Sequence, residues 1–125
     1  LQVINHLQDC GKDYRAIDRV YIPTEMLVAA GATIEDLDAD RASPALRSVI
    51  VAMAEKTLGL LAESSVFSSQ IKDKRLAVEV AIIQRLAESL TRRLITHDPL
   101  SERVHHGKIE MAGLAAWAAV KRLAA

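Results

Sequence analysis

Four polar residues near the start of the chain, Gln2, Asn5, Asp9 and Asp13, have types and spacing that could do chemistry. Successive residues of a helix turn by about 100°. With Gln2 set at zero, Asn5 falls at about −60°, Asp9 at about −20° and Asp13 at about +20°. All four then lie in a sector about 80° wide, stacked along roughly 16 Å of helix axis. Two carboxylates one turn apart, with amide oxygens beside them, make an oxygen-rich row. Such a row suits Mg²⁺, which takes one or two carboxylates and completes its shell with substrate phosphates. The same Asp pairing also occurs on ordinary solvated helix faces, where solvent screens the mild repulsion between the charges. Asn is a mediocre helix former, so the alignment of Gln2 and Asn5 with both Asp residues favours the functional reading.

The elements that must position this row read as helices throughout. The first spans about residues 1–16, with Val3, Ile4, Leu7 and Cys10 apolar beside the polar row. DRVYI, residues 18–22, is extended because the residue before Pro23 is pushed out of the helical region. PTEMLVAAG reads as a short helix stopped by Gly31. Thr33 and Asp36 resemble a capping box, opening a single turn before the polar DADRAS linker. Ser43 and Pro44 start a helix that runs to about Glu63, with Leu46, Val49, Ile50, Met53, Leu58 and Leu61 at helical spacing. SSVFSS reads as a break. Residues 70–96 form the longest helix, presenting Leu76, Val80, Ile83, Leu86, Leu90 and Leu94 on one face, and Asp98-Pro99 ends it. SERVHHGK connects to a last, Ala-rich helix over about 108–124.

Composition agrees with an all-α chain. Of 125 residues 50% are hydrophobic, Ala and Leu dominate, and only 3% are aromatic. Ala and Leu lose little side-chain freedom in helices. The length suits one domain with a real core. Sixteen basic and sixteen acidic residues cancel, so no global field points to nucleic acid. The single cysteine, Cys10, forms no internal disulfide and fits a reducing, cytoplasmic setting. No apolar run is long enough to span a bilayer.

QVINHLQDCGKDYRAIDRVYIP resembles the second aspartate-rich region of the squalene and phytoene synthase family. There a Q-x-x-N-x-x-x-D-x-x-x-D helix precedes an Arg-x-Tyr-x-Pro segment, and Gln2, Asn5, Asp9, Asp13, Arg19, Tyr21 and Pro23 all match. HLQDCGKDYR and the later DPLSERV are most similar to the bacterial hopanoid-pathway, hydroxysqualene synthase-like branch. Two departures stand out. Gln8 occupies the position where the family usually has Arg, and the connector from Asp13 to Arg19 is about one residue longer.

The resemblance implies the C-terminal portion of the isoprenoid synthase helical fold, binding a prenyl diphosphate with Mg²⁺ held between two facing acidic motifs. Asn5 and Asp9 would contact the metal directly, and Asp13 would ligate or orient through water. Asp9 and Asp13 would be the catalytic pair, while Gln2 lines the cavity beneath them. Arg19 and Tyr21 either assist diphosphate binding or pin the first helix to the next. In the hydroxysqualene branch the substrate would be presqualene diphosphate, its cation captured by water without a nicotinamide cofactor. Phytoene or presqualene diphosphate synthesis, the latter from farnesyl diphosphate, is the neighbouring reading, and a non-catalytic helical interaction module is the alternative outside enzymes. Since the family fold needs roughly twice this length, with the first acidic motif in its first half, the expectation is a C-terminal piece of one domain. Such a piece would be inactive alone, would self-associate or seek its N-terminal half, and would contact membranes peripherally.

The remaining candidates read as structural. Lys72, Lys74 and Arg75 suit a solvated helix start. His97, His105 and His106 lack zinc spacing, Cys10 packs as a small hydrophobe, and Trp117 reads as a core anchor. Tyr14 lies beside the acidic row with its direction open.

Overall fold

A computed structural model describes residues 1–125, and every regular element is helical. The elements are α1 (Gln2–Gln8), α2 (Cys10–Ile17), α3 (Thr24–Ala30), a 3₁₀ turn (Ile34–Asp38), α4 (Pro44–Ser64), α5 (Phe67–Gln70), α6 (Lys74–Thr96) and α7 (Lys108–Ala124). The sequence marks most of these ends chemically. Ser43 Oγ accepts from the Leu46 N–H at 3.1 Å, with Pro44 in the first turn of α4. Asp73 Oδ1 accepts from the Leu76 N–H at 2.9 Å and starts α6 four residues later than its apolar pattern suggests. Thr33 and Asp36 form a reciprocal capping box, with the Thr33 N–H donating to Asp36 Oδ2 at 2.9 Å. Gly31, at φ 78°, takes the left-handed conformation that ends α3.

Two of the expected element boundaries need correction. The first helix is not continuous: it is interrupted at Asp9, whose φ of −108° and ψ of 11° lie in the sparsely populated bridge region. SSVFSS is not a plain break, because Phe67–Gln70 forms the short helix α5.

The core is one cluster built from α1 to α4, the 3₁₀ turn, α6 and the connector after α6. Ile4, Leu7 and Cys10 meet Leu27, Leu46, Ile50, Leu94 and Val104 there, all essentially sealed from solvent. α4 and α6 pack along each other, α1 rests on both, and α2 lies on the 3₁₀ turn. Gly11 makes that last contact close: a Cβ there would sit 3.2 Å from the Leu37 carbonyl oxygen and 3.2 Å from Leu100 Cγ. The buried stripe of α6 differs from the expected one. Ala77, Ala87, Thr91 and Leu94 are buried, whereas Leu76 and Ile83 are about half exposed. Small residues win because α6 is flanked by both α4 and α7, and close approach of helices favours short side chains. Trp117 is no core anchor; it is 48% exposed on α7, whose only buried residue is Ala118.

The segment after α6 is tied down from several sides. Arg47 on α4 donates from Nη1 to the Leu94 carbonyl at 2.7 Å and from Nη2 to the Ile95 carbonyl at 2.6 Å. A guanidinium thus satisfies two orphan carbonyls at the C-terminus of α6. Asp98 Oδ2 accepts from the Ala42 N–H at 2.9 Å, anchoring the turn that follows.

Candidate active site

Asn5 and Asp9 open together onto a groove of about 380 Å³. Asp9 also lines an adjoining groove of about 440 Å³, and the two share Gln8, Asp9, Arg103 and His105. The row read from helical spacing survives the interruption at Asp9. Its N–H donates to the Asn5 carbonyl at 3.1 Å, and its own carbonyl accepts from the Asp13 N–H at 2.7 Å. Asn5, Asp9 and Asp13 therefore still follow one another turn by turn.

The structure divides the expected site residues. Asn5 is exposed and Asp9 half-buried, both at the groove. Asp13 is half-buried one turn further on and lines neither groove, and Gln2 is exposed and lines neither. Arg19 is exposed beyond the left-handed Asp18 that closes α2, also outside both. Tyr21 stacks on His6 with ring centroids 3.6 Å apart and planes 12° from parallel. With Val3, Leu7 and Met53 it encloses a small cavity of about 50 Å³. This stacking joins α1 to the chain that follows α2. Tyr14 packs half-buried against the core.

The second wall comes from the connector 97–107 and was not legible from local pattern. The Gln8 amide, buried beside Asp9, donates to the Val104 carbonyl across 96 residues of sequence. Arg93 Nη1 donates to the His105 carbonyl at 2.9 Å, and its Nη2 pairs with Glu110. The His106 ring shares a hydrogen bond of 2.9 Å with the Ser89 hydroxyl. Three side chains from two helices thus fix residues 104–106 and bring Arg103 to the groove that Asp9 lines. Arg103 lies within DPLSERV, and the one local hint of the pairing is the amide at Gln8.

Electrostatics distinguish these groups from the nearby thiol. Burial pushes the Cys10 thiol up to about 11, so it is a packed neutral group rather than a nucleophile. Burial also holds the His106 imidazole below its ordinary 6.5, with Arg93 and His105 acting in the same sense against Glu110. His105 Nδ1 is buried without a hydrogen-bond partner.

The donors at the groove are hard oxygens, one amide and one carboxylate, with the Asp13 carboxylate next in the ladder. That set fits Mg²⁺, which needs few protein ligands. The chain has no group of three or more His, Cys, Asp and Glu side chains placed to hold a metal, so these residues fit one face of a metal site rather than a complete cage.

The squalene/phytoene synthase profile matches residues 1–110. The chain belongs to that family. It is 63% identical over 123 residues to a hydroxysqualene synthase of Zymomonas mobilis, covering 98% of this chain and 41% of that protein. A hydroxysqualene synthase of Rhodopseudomonas palustris is 51% identical over 110 residues, 88% of this chain and 38% of its own length. A phytoene synthase of Thermus thermophilus is 33% identical over 105 residues, 84% of this chain and 36% of that protein. The chain therefore spans about two-fifths of the length of the curated relatives it matches. No solved structure matches it. The all-α fold is the one expected of the family, and no helix is long and apolar enough to cross a membrane.

Proposed function

We propose that residues 1–125 supply one wall of a prenyl diphosphate site that converts presqualene diphosphate to hydroxysqualene. The observation that supports this most is the shared groove: Asn5 and Asp9 open onto it from one side and Arg103 from the other. Asn5 and Asp9 would hold Mg²⁺, with Asp13 orienting through water. Bound Mg²⁺ supplies neutralisation of the departing diphosphate. Arg103 donates to diphosphate oxygens as a fork, a geometry that lysine does not reproduce. Leu86, Leu90 and Met111 give the same groove an apolar lining, suited to the prenyl chain and to limiting access of water. Asp9 and Asp13 are the carboxylates on which turnover depends, while Gln2 and Arg19, outside both grooves, would reach substrate only beyond them.

Support for presqualene diphosphate over the geranylgeranyl substrate of a phytoene synthase comes from the relatives' names: 63% identity to a hydroxysqualene synthase against 33% to a phytoene synthase. In this reading the opposing acidic motif lies in the part of the relatives outside the match, and the site works in a reducing, cytoplasmic setting with peripheral membrane contact.

The test is Mg²⁺-dependent turnover of presqualene diphosphate by the intact protein and its Asp9→Asn variant. Loss of a carboxylate that would hold the Mg²⁺ neutralising the leaving group should lower kcat by about 10²-fold or more, a scale typical of removing one electrostatic stabiliser. Turnover unchanged in the variant would remove Asp9 from the metal site, and no turnover by the intact protein would favour a non-catalytic helical module. Preference for geranylgeranyl diphosphate over presqualene diphosphate would move the chain to the phytoene branch.

A further inference from the structure

Of the four residues that line both grooves at Asp9, three already have work. The Gln8 amide donates to the Val104 carbonyl. Asp9 offers its carboxylate to the metal, and Arg103 its guanidinium to the diphosphate. The fourth, His105, has none. Its neighbour His106 is committed to the Ser89 hydroxyl at 2.9 Å. Neither ring nitrogen of His105 has a hydrogen-bond partner, and only Nδ1 is sealed from solvent. The open nitrogen is therefore Nε2.

The sealing of one nitrogen decides where the ring proton sits. A neutral imidazole carries one N–H and one bare acceptor nitrogen. Buried N–H groups without an acceptor are rarer than buried acceptors without a donor, so the proton belongs on Nε2. That N–H is a donor for which the chain itself supplies no acceptor. It is also held firmly. The His105 backbone N–H donates to the Arg103 carbonyl at 3.0 Å, and its carbonyl accepts from Arg93 Nη1 at 2.9 Å. The tight turn that presents Arg103 thus presents the imidazole as well, and a donor fixed before binding loses little freedom on meeting its acceptor. Mg²⁺ takes oxygen ligands, so the acceptor that suits this N–H is an oxygen of the diphosphate and not the metal.

We infer that His105 is a further diphosphate-binding residue, donating from Nε2 to a phosphate oxygen beside the Arg103 fork. The inference deepens the proposed function and rests on the diphosphate site named there. It gives work to a histidine whose place in the sequence suggested none.

The experiment is calorimetric titration of the intact protein with inorganic diphosphate in the presence of Mg²⁺, beside steady-state turnover of presqualene diphosphate. A glutamine amide reaches as far as the Nε2 position of histidine, whereas an asparagine amide reaches only the Nδ1 position. His105→Gln should therefore bind diphosphate within about threefold of the unaltered protein, while His105→Asn and His105→Phe should bind it about tenfold more weakly, the scale of one hydrogen bond to a charged group. KM for presqualene diphosphate should rise in the same order. Thermal denaturation checks each fold, and where His105→Phe fails to fold the Gln and Asn variants decide. Equal weakening in every variant would make His105 a packing residue, and unchanged binding in every variant would remove it from the diphosphate; either result overturns the inference. The expected order of diphosphate binding in a protein that does not turn over presqualene diphosphate would uphold the inference and overturn the proposed substrate.

Discussion

Replacing Gln8 by Leu keeps the side chain's bulk but leaves the buried Val104 carbonyl without its donor. A buried acceptor stripped of its partner costs about 1–3 kcal/mol. The Gln8→Leu midpoint in urea should fall accordingly, at unchanged slope. Gln8→Glu should fall further at neutral pH, because a carboxylate would face the carbonyl with no proton to donate. Equal midpoints for the two variants would mean that Gln8 acts through its volume and not through its amide. The position matters because it adjoins Asp9: the residue that departs from the usual Arg of the family is also the one that ties the acidic helix to the Arg103 segment. Sequence reasoning saw the departure and had no means of seeing the tie.

Among the elements, α6 is the one whose end decides where the connector starts. Arg47 holds its last carbonyls with two charge-assisted bonds. Arg47→Ala should destabilise the fold by about 1.5–3 kcal/mol, read by thermal denaturation. Arg47→Lys should recover only part of this, since an ammonium cannot fork across two carbonyls. What was legible at this scale was whatever local chemistry dictates. Ser43-Pro44, Gly31 and the Thr33–Asp36 pair fixed ends because caps act within a turn of their own residue. The turn-by-turn order of Asn5, Asp9 and Asp13 was legible for the same reason. The interruption at Asp9 was not, since the weakest helix former of HLQDCGK, Gly11, lies inside α2 and not at the break. Nor was the burial of α6, where flanking helices on two sides favoured Ala77 and Ala87 over Leu76 and Ile83. Trp117 misled because its size suggests a core, while its cationic neighbours hold it at the surface.

For the whole molecule, His106 couples stability to pH. Its folded pKa lies below the ordinary 6.5, so below that value the unfolded chain binds the proton that the folded chain resists. Stability should therefore fall as pH drops through 6.5, and this loss should level off once pH is below the folded value. The Tm difference between about pH 7.5 and about pH 5.5 should shrink in His106→Gln, isolating this residue from the carboxylates that titrate lower. An undiminished difference would assign the effect elsewhere. The Gln8–Val104 bond, spanning 96 residues, carries a further consequence. Helices α4 and α6 form largely from near neighbours, whereas the groove needs segments 96 residues apart to meet. Contacts of such sequence separation bear the greatest loop-closure entropy and slow folding most. During synthesis the acidic helix emerges before the connector, so its Gln8 amide waits for the Val104 carbonyl after α3 and α4 are already made. The binding wall thus closes only after the helices between its two halves have been made, which leaves it exposed to error on the way.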